Sequence, residues 1–191
     1  TELLVKKTEE IIKQNILEKK DFKILDIGTG SGCIPIMLAK MFSSENINFF
    51  ACDISPKALE IAKKNAQKHN LEDKIKFVLS DLFSIIHEKF DLIISNPPYI
   101  PLHTKETLQK EVALHEPSCA LFAADEAGIE FYEKIIRESQ NFLNDNGTII
   151  FEIGIGQFEK VKEIFLKNNF KNIAAFKDLE GIHRVIQACK N

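Results

Sequence analysis

The sequence predicts an α/β fold in which a mainly parallel sheet is covered by helices on both faces. Short apolar runs typical of strands alternate along the chain with amphipathic runs typical of helices. The early strands, such as FKILDIG (22–28) and FDLIIS (90–95), are apolar at consecutive positions, which is typical of strands buried on both faces. With 191 residues, 45% of them hydrophobic, the chain can bury one substantial core. We therefore expect residues 1–191 to form a single domain.

The first half of the chain starts with a helix and then alternates strands with helices. The leading helix has apolar residues at helical spacing between Lys and Glu, and it falls within residues 1–20. A later helix begins with Ser55 as N-cap and Pro56 at its first position. In chain order we predict a helix at 2–19, a strand at 22–28, a helix at 30–42, a strand at 47–55, a helix at 55–70, and strands at 74–83 and 90–95.

The second half continues the alternation and closes with strands. The amphipathic run IEFYEKIIRESQNFL predicts a helix, and GTIIFEIG predicts a strand that follows a turn at Asn146-Gly147. In chain order we predict a helix at 129–143, a strand at 147–154, a helix near 156–168, and strands at 172–176 and 183–189.

Polar and small residues follow the predicted strands where each one ends. In parallel sheets ligands bind outside the carboxyl ends of the strands, so these residues are expected to line one crevice. They are Asp26, Gly28, Thr29, Gly30, Ser31 and Gly32 at the first strand, Asp53 and Ile54 at the second, Asp81 and Leu82 at the third, Asn96, Pro97, Pro98 and Tyr99 at the fourth, and Glu152 to Gly154 at the fifth.

The glycine loop and the acids favour a nucleoside ligand with a cationic tail. The loop has the spacing G-x-G-x-G, which matches neither the dinucleotide fingerprint nor the P-loop, so a NAD-dependent oxidoreductase is disfavoured. Asp53 lies where a carboxylate can accept both hydroxyls of a ribose, and Asp26 favours a cationic group. S-adenosylmethionine has the ribose, the adenine and the cationic tail that this set suits. A plain strand–helix turn, a helix-favouring Asp53 and a capping Asp81 are the structural alternatives.

The stretch Asn96-Pro97-Pro98-Tyr99 is suited to an acceptor nitrogen whose lone pair is delocalised, as in a carboxamide or an exocyclic amino group. Such a nitrogen is a poor nucleophile and needs precise positioning. The Asn96 oxygen and the Pro97 carbonyl can each accept one N–H, the prolines stiffen the loop, and Tyr99 can lie flat on a planar acceptor. A turn that simply ends the strand is the alternative.

With these residues the chain resembles the class I methyltransferases of the glutamine-N5 type, and most closely the release factor glutamine methyltransferase family. The adenine-N6 nucleic-acid methyltransferases share NPPY, but the other segments favour the glutamine branch. The resemblance lies in TELLV (1–5), ILDIGTGSG (24–32), ACDISPKALEIAKKNA (51–66), SDLF (80–83), FDLIISNPPYI (90–100), EPSCALFAADEAGIEFY (116–132), FEIGIGQ (151–157) and KDLEGIHRVI (177–186).

The resemblance implies a doubly wound, Rossmann-like sheet of seven strands with the last strand antiparallel. It implies methyl transfer from S-adenosylmethionine, without a metal, to the glutamine of a Gly-Gly-Gln motif in a peptide chain release factor. Asn96, Pro97 and Tyr99 would be catalytic, Asn96 to Tyr99 would bind substrate, and the residues at the ends of the first three strands, with Asn96, would bind the cofactor. The chain departs from the family at Ala123-Ala124 and Leu82, and the family's upstream helical domain is expected to be absent.

Other classes remain as alternatives: an adenine-N6 nucleic-acid methyltransferase, a ribosomal-protein glutamine methyltransferase, or a non-catalytic cofactor-binding module. The near balance of 25 Lys and Arg against 28 Asp and Glu argues against a polyanionic partner, so we expect no direct nucleic-acid binding. The absence of a signal peptide and of a long apolar run predicts a cytoplasmic protein that does not span a membrane. We expect a monomer.

Overall fold

A computed structural model describes residues 1–16, 19, 21–101, 122–123 and 128–191 of the chain. Within the segment 116–132, in which the chain resembles the family, residues 116–121 and 124–127 lie outside the described residues, and Ala124 is among them. No helix in the described ranges is long and apolar enough to cross a membrane.

The described elements form one seven-stranded sheet with helices on both faces and a second, two-stranded sheet. In chain order they are α1 (Glu2–Asn15), β1 (Phe22–Ile27), α2 (Cys33–Met41), β2 (Ile47–Asp53), α3 (Pro56–Lys68), β3 (Ile75–Leu79), β4 (Phe90–Ser95), β5 (Ile100–Pro101), β6 (Phe122–Ala123), α4 (Glu130–Phe142), β7 (Leu143–Glu152), α5 (Phe158–Lys167), β8 (Lys171–Lys177) and β9 (His183–Cys189).

The large sheet has the strand order β3-β2-β1-β4-β7-β9-β8. The first five strands in this order pair in parallel, and β9 runs antiparallel to both β7 and β8. The doubly wound, seven-stranded sheet with its last strand antiparallel is therefore confirmed. Because the five neighbouring parallel strands end at one edge, the residues after them share that edge.

Several predicted boundaries were wrong, each for a local reason. The strand predicted over 74–83 ends at Leu79, because Leu82 has a positive φ of 47° and the chain turns through Ser84 N–Asp81 O. The helix predicted from 30 starts at Cys33, after Gly30 and Gly32 in left-handed conformations. The strand predicted from residue 147 corresponds to β7, which begins at Leu143. The helix predicted to end at residue 19 corresponds to α1, which ends at Asn15. The pair β5 and β6 was not predicted, because two-residue strands carry no periodicity.

The core has two layers, one on each face of the large sheet. Alternate residues of β1 and β4 point to opposite faces: Ile24 and Leu92 pack with α1 and α2, whereas Leu25 and Ile93 pack with α4 and α5. All four side chains are at most 1% exposed. Burial on both faces explains why these strands are apolar at consecutive positions. The polar residues lie at the carboxyl ends of the strands, outside the two core layers.

Candidate functional site

The glycine loop leaves β1 through a tight connection to the end of β2. The backbone N–H groups of Gly28 and Thr29 donate to the Cys52 carbonyl at 2.9 and 3.0 Å. Gly28 and Gly30 have φ values of 70° and 56°, and a Cβ added to either would meet open space. At Gly32 an added Cβ would instead lie 3.0 Å from the Ala62 Cβ of α3. The first two glycines thus leave a cradle open to a ligand, whereas Gly32 allows two helices to pack closely.

Asp53 at the end of β2 holds this loop in place. Its Oδ2 accepts from Gly30 N and its Oδ1 accepts from Ser55 N, both at 2.8 Å. Each carboxylate oxygen can accept a second hydrogen bond, so the contacts leave capacity for ribose hydroxyls. The next residue, Ile54, is 63% exposed although it is apolar. The two predicted ligand residues therefore lie together beside the glycine cradle.

Asp26 near the end of β1 is buried without a polar partner. The residue is 1% exposed, and neither carboxylate oxygen makes a hydrogen bond within the described residues. Burial raises the pKa of Asp26 to about 7, and the negative charge of Asp53 adds to the shift. The neighbouring Thr29 hydroxyl offsets part of it, although it makes no hydrogen bond of normal geometry to the carboxylate. A buried carboxylate of this kind is stabilised when a cationic group binds beside it.

The end of β3 lies next to Asp53 through the hydrogen bond from Ser80 N to Asp53 O at 3.0 Å. Asp81 is exposed, and the Leu82 carbonyl accepts from Ser80 Oγ at 2.9 Å. The Leu82 side chain packs partly buried against the layer that contains Phe83. The structure therefore brings Asp81 and Leu82 to the same edge as Asp53, with the Leu82 carbonyl already engaged.

Asn96 follows β4, whose last residue is tied to β1 by a hydrogen bond from Ser95 Oγ to Ile27 O at 2.7 Å. The Asn96 Nδ2 donates to Thr1 Oγ1 at 3.3 Å. Its Oδ1 is buried and makes no hydrogen bond among the described residues. The amide is therefore oriented with its donor side engaged and its acceptor oxygen available. Pro97 is buried and Pro98 is half-buried.

Tyr99 contacts Arg184, which the sequence did not single out, and Arg184 pairs with Glu152, which was predicted at the end of the fifth strand. Arg184 Nη2 lies 3.4 Å from the Tyr99 hydroxyl, and the guanidinium carbon lies 5.9 Å from the ring centroid. The same nitrogen is 3.8 Å from Oε1 of the buried Glu152, whose Oε2 is 2.9 Å from the Thr1 nitrogen. Glu152 thus lies between the start of α1 and Arg184.

Thr1, Gln157 and Arg184 were missed as individual site residues. They lie within TELLV, FEIGIGQ and KDLEGIHRVI, so the resemblance included them, but their contacts depend on elements far apart in the chain. The observed arrangement suits a ligand with a cationic tail and a ribose, and an acceptor that carries N–H groups. The assignment of each residue to cofactor or substrate stays a prediction. Within the described residues, no group of three or more His, Cys, Asp or Glu could hold a metal ion.

Comparison with known sequences connects this geometry to a family. A family model described as the methyltransferase small domain matches residues 3–116. A bifunctional methyltransferase from Rickettsia felis is 44% identical over 165 residues, which cover 86% of this chain and 31% of that protein. A release factor glutamine methyltransferase from Clostridium botulinum is 41% identical over 195 residues, which cover 98% of this chain and 68% of that protein. The chain thus spans about a third of the Rickettsia relative's length.

Solved structures agree with the fold. A ribosomal protein L11 methylase from Lactobacillus delbrueckii subsp. bulgaricus superposes with a TM-score of 0.67 at 22% identity, over 100% of this chain and 79% of that one. A magnesium protoporphyrin IX methyltransferase from Synechocystis PCC 6803, solved with bound SAM, superposes with a TM-score of 0.64 at 17% identity, over 98% of this chain and 78% of that one. These likenesses confirm the predicted class I methyltransferase fold.

Proposed function

Because this chain belongs to the release factor glutamine methyltransferases, and carries the methyltransferase small domain, we propose that it methylates a glutamine side chain of a peptide chain release factor. The methyl donor is S-adenosylmethionine, and the acceptor is the amide nitrogen (N5) of the glutamine in a Gly-Gly-Gln motif. The reaction forms one N–C bond, breaks one S–C bond and releases one N–H proton.

The unpaired Asn96 Oδ1 is the observation that carries this proposal. A glutamine amide has two N–H donors, and Asn96 Oδ1 and the Pro97 carbonyl would each accept one of them. Both hydrogen bonds hold the nitrogen in one orientation, so that its lone pair faces the methyl carbon. The hydrogen bond from Asn96 Nδ2 to Thr1 Oγ1 supports this role, because it would leave the acceptor oxygen for the substrate. A carboxamide is a weak nucleophile, so catalysis here is mainly positioning.

The cofactor residues supply charge and shape next to this acceptor position. S-adenosylmethionine, when bound, supplies a methyl group on a sulfonium that leaves as a neutral thioether. The unpaired Asp26 carboxylate would bind its ammonium group, and the open backbone at Gly28 and Gly30 would accommodate its methionine part. Asp53 would accept the ribose hydroxyls, with the exposed Ile54 against the adenosine. Burial of the charged tail beside Asp26 strengthens the attraction because water is excluded.

Mass spectrometry of a release factor tests the proposal. The chain is incubated with S-adenosylmethionine and a bacterial-type release factor, and the tryptic peptide with the Gly-Gly-Gln motif is analysed for one added methyl group on glutamine. Asn96→Ala should lower the rate by about 100-fold, and the affinity for S-adenosylhomocysteine, to which Asn96 is expected to contribute one contact, should fall by much less. Asn48→Ala, at an exposed asparagine of β2, is the matched control and should methylate normally.

The same assay separates the rival substrates. A release factor with its motif glutamine changed to alanine should remain unmodified. Methylation of adenine in DNA or RNA, with none on the release factor, would favour the nucleic-acid alternative, and methylation of a ribosomal protein alone would favour the sister activity. An Asn96→Ala variant as active as the unaltered chain would contradict the role of the amide.

A further inference from the structure

Gln157 lies at the start of α5, but its side chain forms hydrogen bonds with residues outside that helix. Gln157 precedes α5 and is 7% exposed, but its side chain makes no capping hydrogen bond to that helix. Its Nε2 donates to the Tyr99 carbonyl at 3.0 Å and to the Gly128 carbonyl at 3.1 Å. Its Oε1 accepts from Gly154 N at 2.8 Å and lies 3.4 Å from the Tyr132 hydroxyl. One buried amide thus joins the ends of β4 and β7 with the start of α4.

The backbone around this amide leaves no free space. A Cβ added at Gly154 would lie 2.7 Å from Gln157 Oε1 and 3.0 Å from the Tyr99 ring, and a side chain at Gly128 would collide with the Tyr99 carbonyl. Tyr99 and Gly128 are 29 positions apart in the sequence, yet their carbonyls share one donor group. The position of Tyr99 is therefore set by Gln157 and by close backbone contacts on both sides.

We propose that Gln157 is a positioning residue for methyl transfer, which holds the Asn96–Tyr99 turn by its grip on the Tyr99 carbonyl. The inference rests on the proposed function, in which Asn96 Oδ1 and the Pro97 carbonyl orient the acceptor nitrogen. The turn is anchored at its start by the hydrogen bond from Asn96 to Thr1 and at its end by Gln157. Two anchors leave the acceptor atoms between them little freedom to move, and small displacements reduce transfer steeply.

The N–H donors of the Gln157 amide, more than its volume, should hold the Tyr99 carbonyl in place. A glutamate has nearly the same shape as glutamine but lacks its two N–H donors. When ionised it presents only acceptors to the Tyr99 and Gly128 carbonyls, and when protonated, as burial favours, it can donate to one of them at most. Gln157→Glu therefore weakens the grip and keeps the volume, whereas Gln157→Leu removes the polar contacts altogether. Gln140→Leu is the matched control, because Gln140 Nε2 also donates to a backbone carbonyl, that of Asn168, at 2.7 Å.

The experiment combines kinetics with a spectroscopic reporter on Tyr99. The chain has two tyrosines, the half-buried Tyr99 and the fully buried Tyr132, so 3-fluorotyrosine labelling gives two assignable 19F resonances. For each variant we would measure kcat and KM with a release factor, the Kd for S-adenosylhomocysteine, the melting temperature and the 19F spectrum. A Tyr99→Phe variant carries no 3-fluorotyrosine at position 99, so the resonance that disappears from its spectrum is that of Tyr99.

We expect Gln157→Glu and Gln157→Leu to lower kcat by about 10- to 100-fold, with the Kd for S-adenosylhomocysteine within about twofold of the unaltered chain. The Tyr99 resonance should shift or broaden in both, and Gln140→Leu should change neither kcat nor that resonance. A folded Gln157→Leu variant with unaltered kcat would overturn the positioning role. If the unaltered chain fails to methylate any release factor, the proposed function fails, and an unchanged Tyr99 resonance in Gln157→Leu would separately overturn the grip on Tyr99.

Discussion

Two buried aspartates on neighbouring strands have opposite surroundings. Asp91 lies near the start of β4 and is 6% exposed, and it accepts hydrogen bonds from Lys19 Nζ at 2.6 Å, Lys23 N at 2.9 Å and Asn144 Nδ2 at 2.8 Å. Asp26 lies near the opposite end of β1, and neither of its oxygens is hydrogen-bonded within the described residues. The two acids thus lie at opposite ends of the parallel strands, Asp91 near the amino ends and Asp26 near the carboxyl ends.

The difference appears in their pKa values. Burial alone would raise the pKa of Asp91, but the hydrogen bonds from Lys19, Lys23 and Asn144 outweigh it and hold that pKa below its usual value. At Asp26 burial dominates, and the pKa rises to about 7. Because the described residues supply three hydrogen-bond partners for Asp91 and none for Asp26, we propose that the Asp26 carboxylate binds a group from outside the chain. That acid is at the edge where parallel sheets bind ligands.

The largest expected effect is on cofactor binding. Asp26→Asn removes the charge that we expect to face the ammonium of S-adenosylmethionine, and it should weaken binding of S-adenosylhomocysteine by about 1000-fold, as the loss of a buried ionic partner does. Isothermal titration calorimetry measures the change. Asp91→Asn is the matched control, with affinity expected within about twofold of the unaltered chain. Equal losses in both variants would show that the effect comes through the fold.

The next effect is on the pH dependence of stability. The folded-state pKa of Asp26, about 7, lies above its value of 3.8 for an unperturbed aspartate, so the folded chain binds more protons than the unfolded one. The contribution of the Asp26 carboxyl to the free energy of unfolding therefore falls as pH rises from about 4 to about 7. In the ligand-free protein the decrease is about 3 kcal/mol. Urea unfolding of the unaltered chain and Asp26→Asn across this range should show the difference. Parallel pH profiles would refute the unpaired state of Asp26.

A smaller loss of stability is expected when Asp91 is replaced. Asp91→Ala leaves Lys23 N and the Asn144 amide without their acceptor, and it should lower the free energy of unfolding at pH 7 by about 2 kcal/mol. Because the pKa of Asp91 is lowered, its contribution is present above the unfolded-state pKa and disappears as pH falls through the folded-state pKa. Chemical denaturation at pH 7 and at low pH measures both values. A loss that persists at low pH would contradict the role of its charge.

The smallest effect is expected at Lys19. Its side chain is 41% exposed, and Asp91 keeps two other donors when the lysine is removed. Lys19→Ala should therefore lower the free energy of unfolding by about 0.5 kcal/mol, which is typical of a partly exposed ion pair, and should lose even that at high salt. Thermal unfolding at low and high salt tests it.

The strands and the residues at their carboxyl ends could be predicted from the sequence, whereas the partners of the two acids could not. The strands were predictable because burial on both faces leaves apolar runs, as in β1 and β4, and the residues after them were predictable because parallel strands end at one edge. The sequence also indicated that Asp26 favours a cationic partner. It did not indicate that the Asp91 carboxylate is fully hydrogen-bonded, because its partners come from the segment before β1, from β1 itself and from the start of β7.

The same limit applies around Asn96. The role we propose for Asn96 follows from the residue types in NPPY, but its side-chain orientation depends on Thr1, which is 95 positions away. Gln157 and Arg184 were inside matched segments without an assigned role, since a side chain that joins carbonyls from two loops has no periodic pattern. One boundary failed because a residue other than glycine takes a positive φ, as Leu82 does shortly after β3.

The most direct test of the claim that Asp26 is reserved for a cationic ligand is NMR titration of the aspartate side-chain carboxyl carbons, with and without S-adenosylhomocysteine. We expect Asp26 to titrate near pH 7 in the free chain and to ionise at much lower pH in the complex, because the ligand ammonium stabilises the carboxylate. Asp91 should titrate below its usual range in both states. An Asp26 carboxyl that titrates at an ordinary pH and does not respond to the ligand would contradict the account.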